Sequence, residues 1–324
     1  MKLTVLSEAV VREIITVELA FEAVGEALKS VATRHASIMP VVLAEGGPGG
    51  AMFGVKTATH LSAGLLGLKV GSYFPENHAR GIPNHGSTTL LLDGETGLPR
   101  AIVSAGYLNG LRTAAANAVA VDRLAREDAS VLGVIGAGHQ AEFEVRAVAA
   151  RRALRQVKVW SRTPTSAADL CQRLGDLDLE VTAVDQARAA VEGSDIVTTV
   201  TPARAILVEA GWVGPGTHIS AMGSDTDGKQ ELDPRLMERA TAFADLPAQS
   251  VRIGEFQHAA AAQLLTADDI TPLGAVLLGQ HPGRTTPDEI TVFDSSGVAP
   301  QDLHVAAAVL REATARGRAS IIDF

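Results

Sequence analysis

Apolar and polar positions recur with two different rhythms along this chain, and the change from one to the other divides it. The first fifteen residues alternate polar and apolar positions around Ser7. Over residues 18–34, Leu19, Val24, Leu28 and Val31 fall on one side of a helix. A Gly-Gly-Pro-Gly-Gly cluster at 46–50 marks a turn. Three runs of strand character follow, at 52–56, 65–74 and 87–93. Asp93-Gly94-Glu95-Thr96-Gly97 then reads as a hairpin turn joining Leu90-Leu91-Leu92 to Arg100-Ala101-Ile102-Val103. The first hundred residues therefore predict an α+β unit built on an antiparallel sheet.

Near residue 112 the rhythm changes. An alanine-rich helix is predicted over 113–126, and from Ser130 short apolar runs alternate with amphipathic segments. Strands are expected at 131–135, 157–160, 181–184 and 195–200, with helices at 140–151, 166–174 and 187–192 between them. Further buried strands are expected at 218–222, 242–244 and 289–293. Such alternation is the mark of a parallel sheet with helices on its faces. A last helix over 301–316, with Leu303, Ala307 and Leu310 on one side, is expected to pack back onto the first unit. The expected division is a substrate-binding and dimerisation domain at 1–112, joined by the C-terminal segment 301–324, and a nucleotide-binding domain at 113–300.

Composition narrows the partners. Of 324 residues, 46% are hydrophobic and 20% charged, which is enough apolar material for a large core. The net charge of −9 argues against a nucleic acid or an anionic membrane as partner. Cys171 is the single cysteine, so no disulfide forms within the chain and a reducing, cytoplasmic setting is expected. No signal peptide, membrane span or metal-binding constellation is read.

One local motif carries chemistry. Val131-Leu132-Gly133-Val134-Ile135 leads into Gly136-Ala137-Gly138-His139-Gln140-Ala141, a strand, a G-x-G-x-x-A turn and a helix. Gly136 permits the tight turn, Gly138 lets backbone approach a pyrophosphate, and Ala141 keeps helix and strand close. His139 and Gln140 open the helix, whose free N–H groups meet the anion. The reading is a Rossmann-type doubly wound unit that holds NAD or NADP. The second strand ends in Trp160-Ser161-Arg162-Thr163, without the carboxylate that would hold a free ribose, so NADP is preferred, with Arg162 facing the extra phosphate.

In the first unit, Lys69 lies inside the apolar run Gly67-Leu68-Lys69-Val70-Gly71, which places it at an edge or in a polar pocket. Lys56, His60, Arg80 and His85 are its cationic or titratable neighbours in sequence. Arg112 stands where the two units join, where a cleft is expected and where its planar fork suits a carboxylate. Asp225, in Gly223-Ser224-Asp225-Thr226-Asp227-Gly228-Lys229, follows a buried strand at the carboxyl edge of the parallel sheet and is a candidate acid or base.

Taken in order, GLKVGSYFPEN (67–77), STTLLLDGETGLPRAIV (87–103), LRTAAANAVAVDRLAR (111–126), VIGAGHQAEFEVRAV (134–148), DIVTTVT (195–201), GSDTDGKQELD (223–233) and TVFDSSGVAPQDL (291–303) resemble the ornithine cyclodeaminase/mu-crystallin family along nearly the whole chain. The resemblance implies a homodimer joined through the first sheets and a nicotinamide cofactor on the second unit. It places Lys69 and Arg112 at substrate-carboxylate and catalytic positions and Asp225 at the catalytic aspartate. Thr201, Lys229 and Ser295 fall near the nicotinamide. One departure is visible: the family sets an arginine before the first glycine-rich turn, and Arg34 does not line up with it.

Members of the family either cyclise ornithine with loss of ammonia, reduce imines and oxo acids, or bind small ligands. A diamino acid needs a carboxylate for its distal ammonium, and residues 46–74 contain neither Asp nor Glu but do contain Lys56, His60 and Lys69. The expected activity is therefore NAD(P)H-dependent reduction of an imine, or of an oxo acid plus ammonia, to an amino acid. Lys69 and Asp225 would be catalytic, Arg112 would hold the α-carboxylate, and Lys56 with Arg80 or His85 a second carboxylate, as in iminosuccinate. The alternatives are ornithine-type cyclodeamination and an NADP-holding small-ligand binding protein.

Overall fold

The structure, a computed structural model, describes residues 2–47 and 49–324. Two compact units are present: Met1–Arg112 with Val298–Phe324, and Thr113–Gly297.

The first unit begins with β1 (Lys2–Leu6), α1 (Glu8–Ile14) and α2 (Val17–Ala32). The alternation of the first fifteen residues thus divides into a strand and a helix, with Ser7 as the N-cap whose Oγ accepts from Val10 N–H. Thr16 caps α2 in the same way, and Ala20, Ala23, Val24, Ala27, Leu28 and Val31 form its buried stripe. Leu28 is 1% exposed, and truncating it to Ala would cost roughly 2–5 kcal/mol. Next come β2 (Ala36–Ile38), β3 (Val42–Glu45), β4 (Met52–His60), β5 (Leu65–Tyr73), β6 (His85–Leu92) and β7 (Pro99–Ser104). The β6–β7 turn is held by Asp93, whose Oδ1 accepts the N–H groups of Glu95 and Thr96. The sheet is antiparallel, as expected, apart from β1, which the expected strands did not include and which runs parallel to β7, about a hundred residues away.

Helix α3 (Gly106–Leu124) starts earlier than the alanine pattern indicates, because Leu108 and Leu111 are already buried in its first turns. The second unit then follows as β8 (Val131–Ile135), α4 (His139–Ala149), β9 (Gln156–Trp160), α5 (Pro164–Arg173), β10 (Glu180–Ala183), α6 (Ala187–Val191), β11 (Ile196–Thr199), β12 (Arg204–Val208), β13 (His218–Ala221), β14 (Gln230–Leu232), β15 (Ala240–Ala244), α7 (Pro247–Ile253), α8 (Gln257–Ala261), β16 (Thr271–Pro272), α9 (Leu273–Leu277) and β17 (Ile290–Asp294). Its main sheet has the order β10-β9-β8-β11-β13-β17-β15-β16 with every pairing parallel. The chain winds one way from β8 and the other way from β11, so the loops at the carboxyl ends of these two strands part at the switch point of a doubly wound sheet. The central strands β11, β13 and β17 are buried at every position. The short parallel pair β12–β14 lay outside the sequence expectations.

The chain returns to the first unit with α10 (Ala299–Ala315) and β18 (Ser320–Asp323). Helix α10 packs on α2 and on the strands β4, β5 and β6, and β18 adds antiparallel to β1 at the sheet edge. Ala306, Ala307 and Ala308 are buried and let α10 lie close. A Cβ at Gly67 of β5 would run into the carbonyl of Leu90 and touch Leu303 of α10. No helix of the described residues is long and apolar enough to cross a membrane, and no group of three or more His, Cys, Asp or Glu among them is placed to hold a metal ion.

Candidate active site

Strand alternation puts Lys69 on the sheet face covered by α10, and the helix answers it with Asp302 in its first turn. Lys69 is 6% exposed, and its Nζ donates to Asp302 Oδ1 at 2.9 Å and to Asn109 Oδ1 at 2.9 Å. Arg112, 8% exposed, joins the same acid: its Nη2 donates to Asn109 Oδ1 at 2.8 Å and its Nη1 to Gln301 Oε1 at 3.3 Å. Arg112 Nε lies 3.1 Å from Asp302 Oδ1, close enough for charge pairing but off the line of its N–H, so that donor has no hydrogen-bond partner among the described residues. Gln301 Nε2 and the hydroxyl of Thr89, directly across the sheet from Lys69, are buried and likewise without a partner among the described residues. Buried polar groups are normally satisfied. A lysine, an arginine and three partnerless groups against one carboxylate make a set short of an acceptor, which is the complement of a small anion.

Electrostatics tunes the lysine. Burial pulls Lys69 down, Asp302 pulls it back up, and Arg112 and Lys56 lower it again, leaving it at about 7. Burial alone would raise Asp302, but Lys69, Arg112 and Lys56 hold it below the ordinary carboxylate range. The outcome is an ionised acid beside an ammonium that gains and loses its proton near neutrality.

The structure distributes the other first-unit candidates unevenly. Lys56 is the direct cross-strand partner of Lys69 and shares its face. His85 pairs with Tyr73, four residues further along, which is about 13 Å from the Lys69 rung at the usual strand rise; its ring lies tilted against that of Tyr73. Arg80 ends an exposed 3-10 turn and lines a separate small cavity with Gly46, Gly47, Phe74 and Asn77. The geometry thus does not gather Arg80 and His85 around Lys69. His60 faces α10 too, but its Nδ1 meets His304 Nε2 at 3.0 Å, with His35 stacked beyond it. Arg34 closes α2 in the left-handed conformation, with φ of 57°.

Asp302, Asn109 and Gln301 escaped the sequence reading. The available signal was a charged residue on the apolar side of an alanine-rich helix, flanked by Leu303, Val305 and Ala306.

In the second unit, Gly136 has φ of 116°, and a Cβ there would lie 2.7 Å from Val200 O. Gly138 is the N-cap of α4, without a side-chain cap, and a Cβ on it would meet nothing within 4 Å. Ala141 is fully buried. Open space over an uncapped helix N-terminus fits a pyrophosphate. His139 is exposed and packs edge-on against Phe143, while Gln140 donates to Glu144. At the end of β9, Ser161 is half-buried and Arg162 and Thr163 are exposed, and none of the three is an acid. Lys229 donates to Asp225 Oδ1 at 2.6 Å and to Gly223 O at 3.1 Å. The hydroxyls of two expected cofactor contacts turn inward: Thr201 donates to Glu231, and Ser295 to Asp245.

An all-parallel doubly wound sheet with a glycine-rich turn at its switch point defines a dinucleotide-binding type of α/β protein, here coupled to a unit carrying a buried lysine–arginine–aspartate cluster. The chain belongs to the ornithine cyclodeaminase/mu-crystallin family, whose model matches residues 1–317. It is 43% identical over 319 residues to the iminosuccinate reductase of Paracoccus denitrificans, covering 98% of this chain and 99% of that protein. A crystal structure of the iminosuccinate reductase of Paracoccus denitrificans in complex with NAD+ superposes with a TM-score of 0.93 and 42% identity over the whole of both chains. An archaeal alanine dehydrogenase dimer with bound NAD superposes with a TM-score of 0.93 and 33% identity, again over the whole of both chains.

Proposed function

We propose that this protein is an NAD(P)H-dependent reductase that converts an anionic imine, with iminosuccinate as the leading candidate, into an amino acid. The observation that carries the reading is the buried first-unit cluster: Lys69 and Arg112 share one counter-charge, Asp302, and are surrounded by partnerless polar groups. The similarity to an iminosuccinate reductase supports the same substrate class.

In this mechanism Arg112 and Gln301 bind the α-carboxylate, and Lys56, on the same face as Lys69, offers charge to a second one. A fixed cation pair orients the imine and lowers the entropy cost of reaction. When bound, the reduced nicotinamide supplies hydride to the imine carbon. Lys69 gives its proton to the imine nitrogen, turning C=N into CH–NH, and Asp302 stabilises the charged lysine before transfer. Asp225, held by Lys229, is the second proton carrier. Gly136, Gly138, His139 and Gln140 hold the cofactor's phosphates. Ser161, Arg162 and Thr163 receive its adenosine end, where the absence of an acid admits NADPH beside NADH. We further propose a cytoplasmic homodimer.

The test is spectrophotometric. With NADH or NADPH, oxaloacetate plus ammonia should support cofactor consumption and yield aspartate. Release of ammonia from ornithine, with no consumption on any imine, would refute the reading. Tight cofactor binding without turnover would replace it with a binding protein.

A further inference from the structure

Buried acids of the second unit that have no part in the chemistry above include Glu231, Glu255, Asp245 and Asp294. Two of them hold loops at the carboxyl edge of the parallel sheet. Glu231 Oε1 accepts the N–H of Thr201 at 2.7 Å and its hydroxyl at 2.8 Å, while Oε2 accepts the hydroxyl of Thr199 at 2.8 Å and the N–H of Gly223 at 3.1 Å. Each oxygen therefore faces a backbone N–H, a donor that cannot rotate away, and these donors favour the ionised form against burial, which raises the carboxyl. A Cβ on Gly223 would strike Thr201 O and Glu231 Oε2, so the approach requires glycine.

Glu255 is built differently. Its Oε1 accepts two backbone N–H groups, from Glu231 at 2.9 Å and Leu232 at 2.6 Å. Its Oε2 lies 2.5 Å from Ser224 Oγ, with a longer contact of 3.2 Å to Glu231 N. A neutral acid fits this pattern, its carbonyl taking both amides and its hydroxyl donating to Ser224.

Resting on the functional reading above, we propose that Glu231 and Glu255 are positioning residues, the first ionised and the second protonated, which lock loops 199–203 and 223–232 into the shape that receives the nicotinamide end of the cofactor. The lock orders Thr201, Asp225 and Lys229 without touching the cofactor itself. Burial and the charge of Glu231 push Glu255 up to about 8, so the pair keeps its proton at neutral pH. The other titratable groups nearby are Asp294, raised by burial and by Asp245 behind it, and Lys229 and His258 at the front, His258 bonding to Lys229 O.

Fluorescence titration with NADH and NADPH, across about pH 6.5 to 9.5, tests the pair together with amide exchange. Wild-type affinity should fall as pH rises through the Glu255 range, by up to about tenfold per unit above it. Glu255→Ala should weaken binding roughly tenfold at pH 7, and Glu255→Gln, which keeps the neutral pattern, should rescue it and flatten the pH dependence. Glu231→Gln turns an amide N–H onto backbone N–H groups; it should weaken binding at every pH, raise the cofactor KM more than it lowers kcat, and speed exchange at Thr201 and Gly223. Wild-type affinity in Glu231→Gln, or Glu255→Gln as damaging as Glu255→Ala, overturns the proposal. A wild-type protein that binds neither cofactor refutes the reductase reading instead. In that case unchanged amide protection at Thr201, Gly223 and Leu232 in Glu231→Gln overturns the lock by itself, and lost protection supports it.

Discussion

Asp302→Asn removes the charge that Lys69 and Arg112 share while leaving the side chain's shape. Lys69 Nζ is 2.9 Å from Asp302 Oδ1, a pair worth about 6 kcal/mol at an effective dielectric of 20 before anything relaxes. Rearrangement and the remaining bond to Asn109 return about half, so the net loss is about 3 kcal/mol, the size found when one partner of a buried pair is removed. At 1.36 kcal/mol per pKa unit, this moves the protonation point of Lys69 from about 7 to about 5. Lys69 works as a proton donor, so activity is present below its pKa and lost as pH rises through it. The descending limb of kcat/KM should therefore move down by about two units, and at pH 7 the protonated share falls from about half to about 1%, a rate loss of about 50-fold. Initial rates of cofactor consumption against pH measure the limb, and thermal unfolding measures the accompanying destabilisation. A variant that keeps its limb near neutrality at the wild-type rate would show that Asp302 does not set the lysine's charge.

Three further outcomes are expected. Lys69→Met should lower kcat by 10²–10³, about 3–4 kcal/mol of transition-state stabilisation, with little change in cofactor Kd; near-normal kcat would make the lysine structural. Ser161→Asp should weaken NADPH roughly tenfold relative to NADH by charge repulsion, read from the two Kd values, and an unchanged ratio would put the 2′-phosphate elsewhere. Burial and His60 pull His304 down to about 4, so the folded state resists a proton that the unfolded chain accepts at about 6.5. Stability should hold above that point and fall by about 3 kcal/mol as pH drops to about 4, and His304→Leu should remove most of this slope in urea titrations.

Local relations were legible from the residues themselves. The strand–glycine–helix motif at 131–141 spans eleven positions, and its parts need no distant partner to state their roles. The Asp93 turn and the Thr16-capped stripe of α2 are equally local, since capping and period act over one or two turns. Boundaries failed where burial came from elsewhere: α3 begins before its alanines because Leu108 and Leu111 find a core, and β1 pairs with β7 across the length of the first unit.

The chemistry shows the same division more sharply. A lysine in an apolar run at position 69 announces that something must compensate it, because a lone buried cation is too costly to leave unpaired. What compensates it is Asp302, 233 residues further on, and no local rule connects the two. The list of nearby cations likewise contained Lys56, Arg80 and His85 on equal terms, and only the register of β4, β5 and β6 separates the one beside Lys69 from those farther along. Sequence alone determined the class of sheet, the nucleotide turn and the need for a charge partner, since each follows from neighbours in the chain. Tertiary structure decided the partner and the proton affinity of the lysine, because both depend on distances that only folding creates.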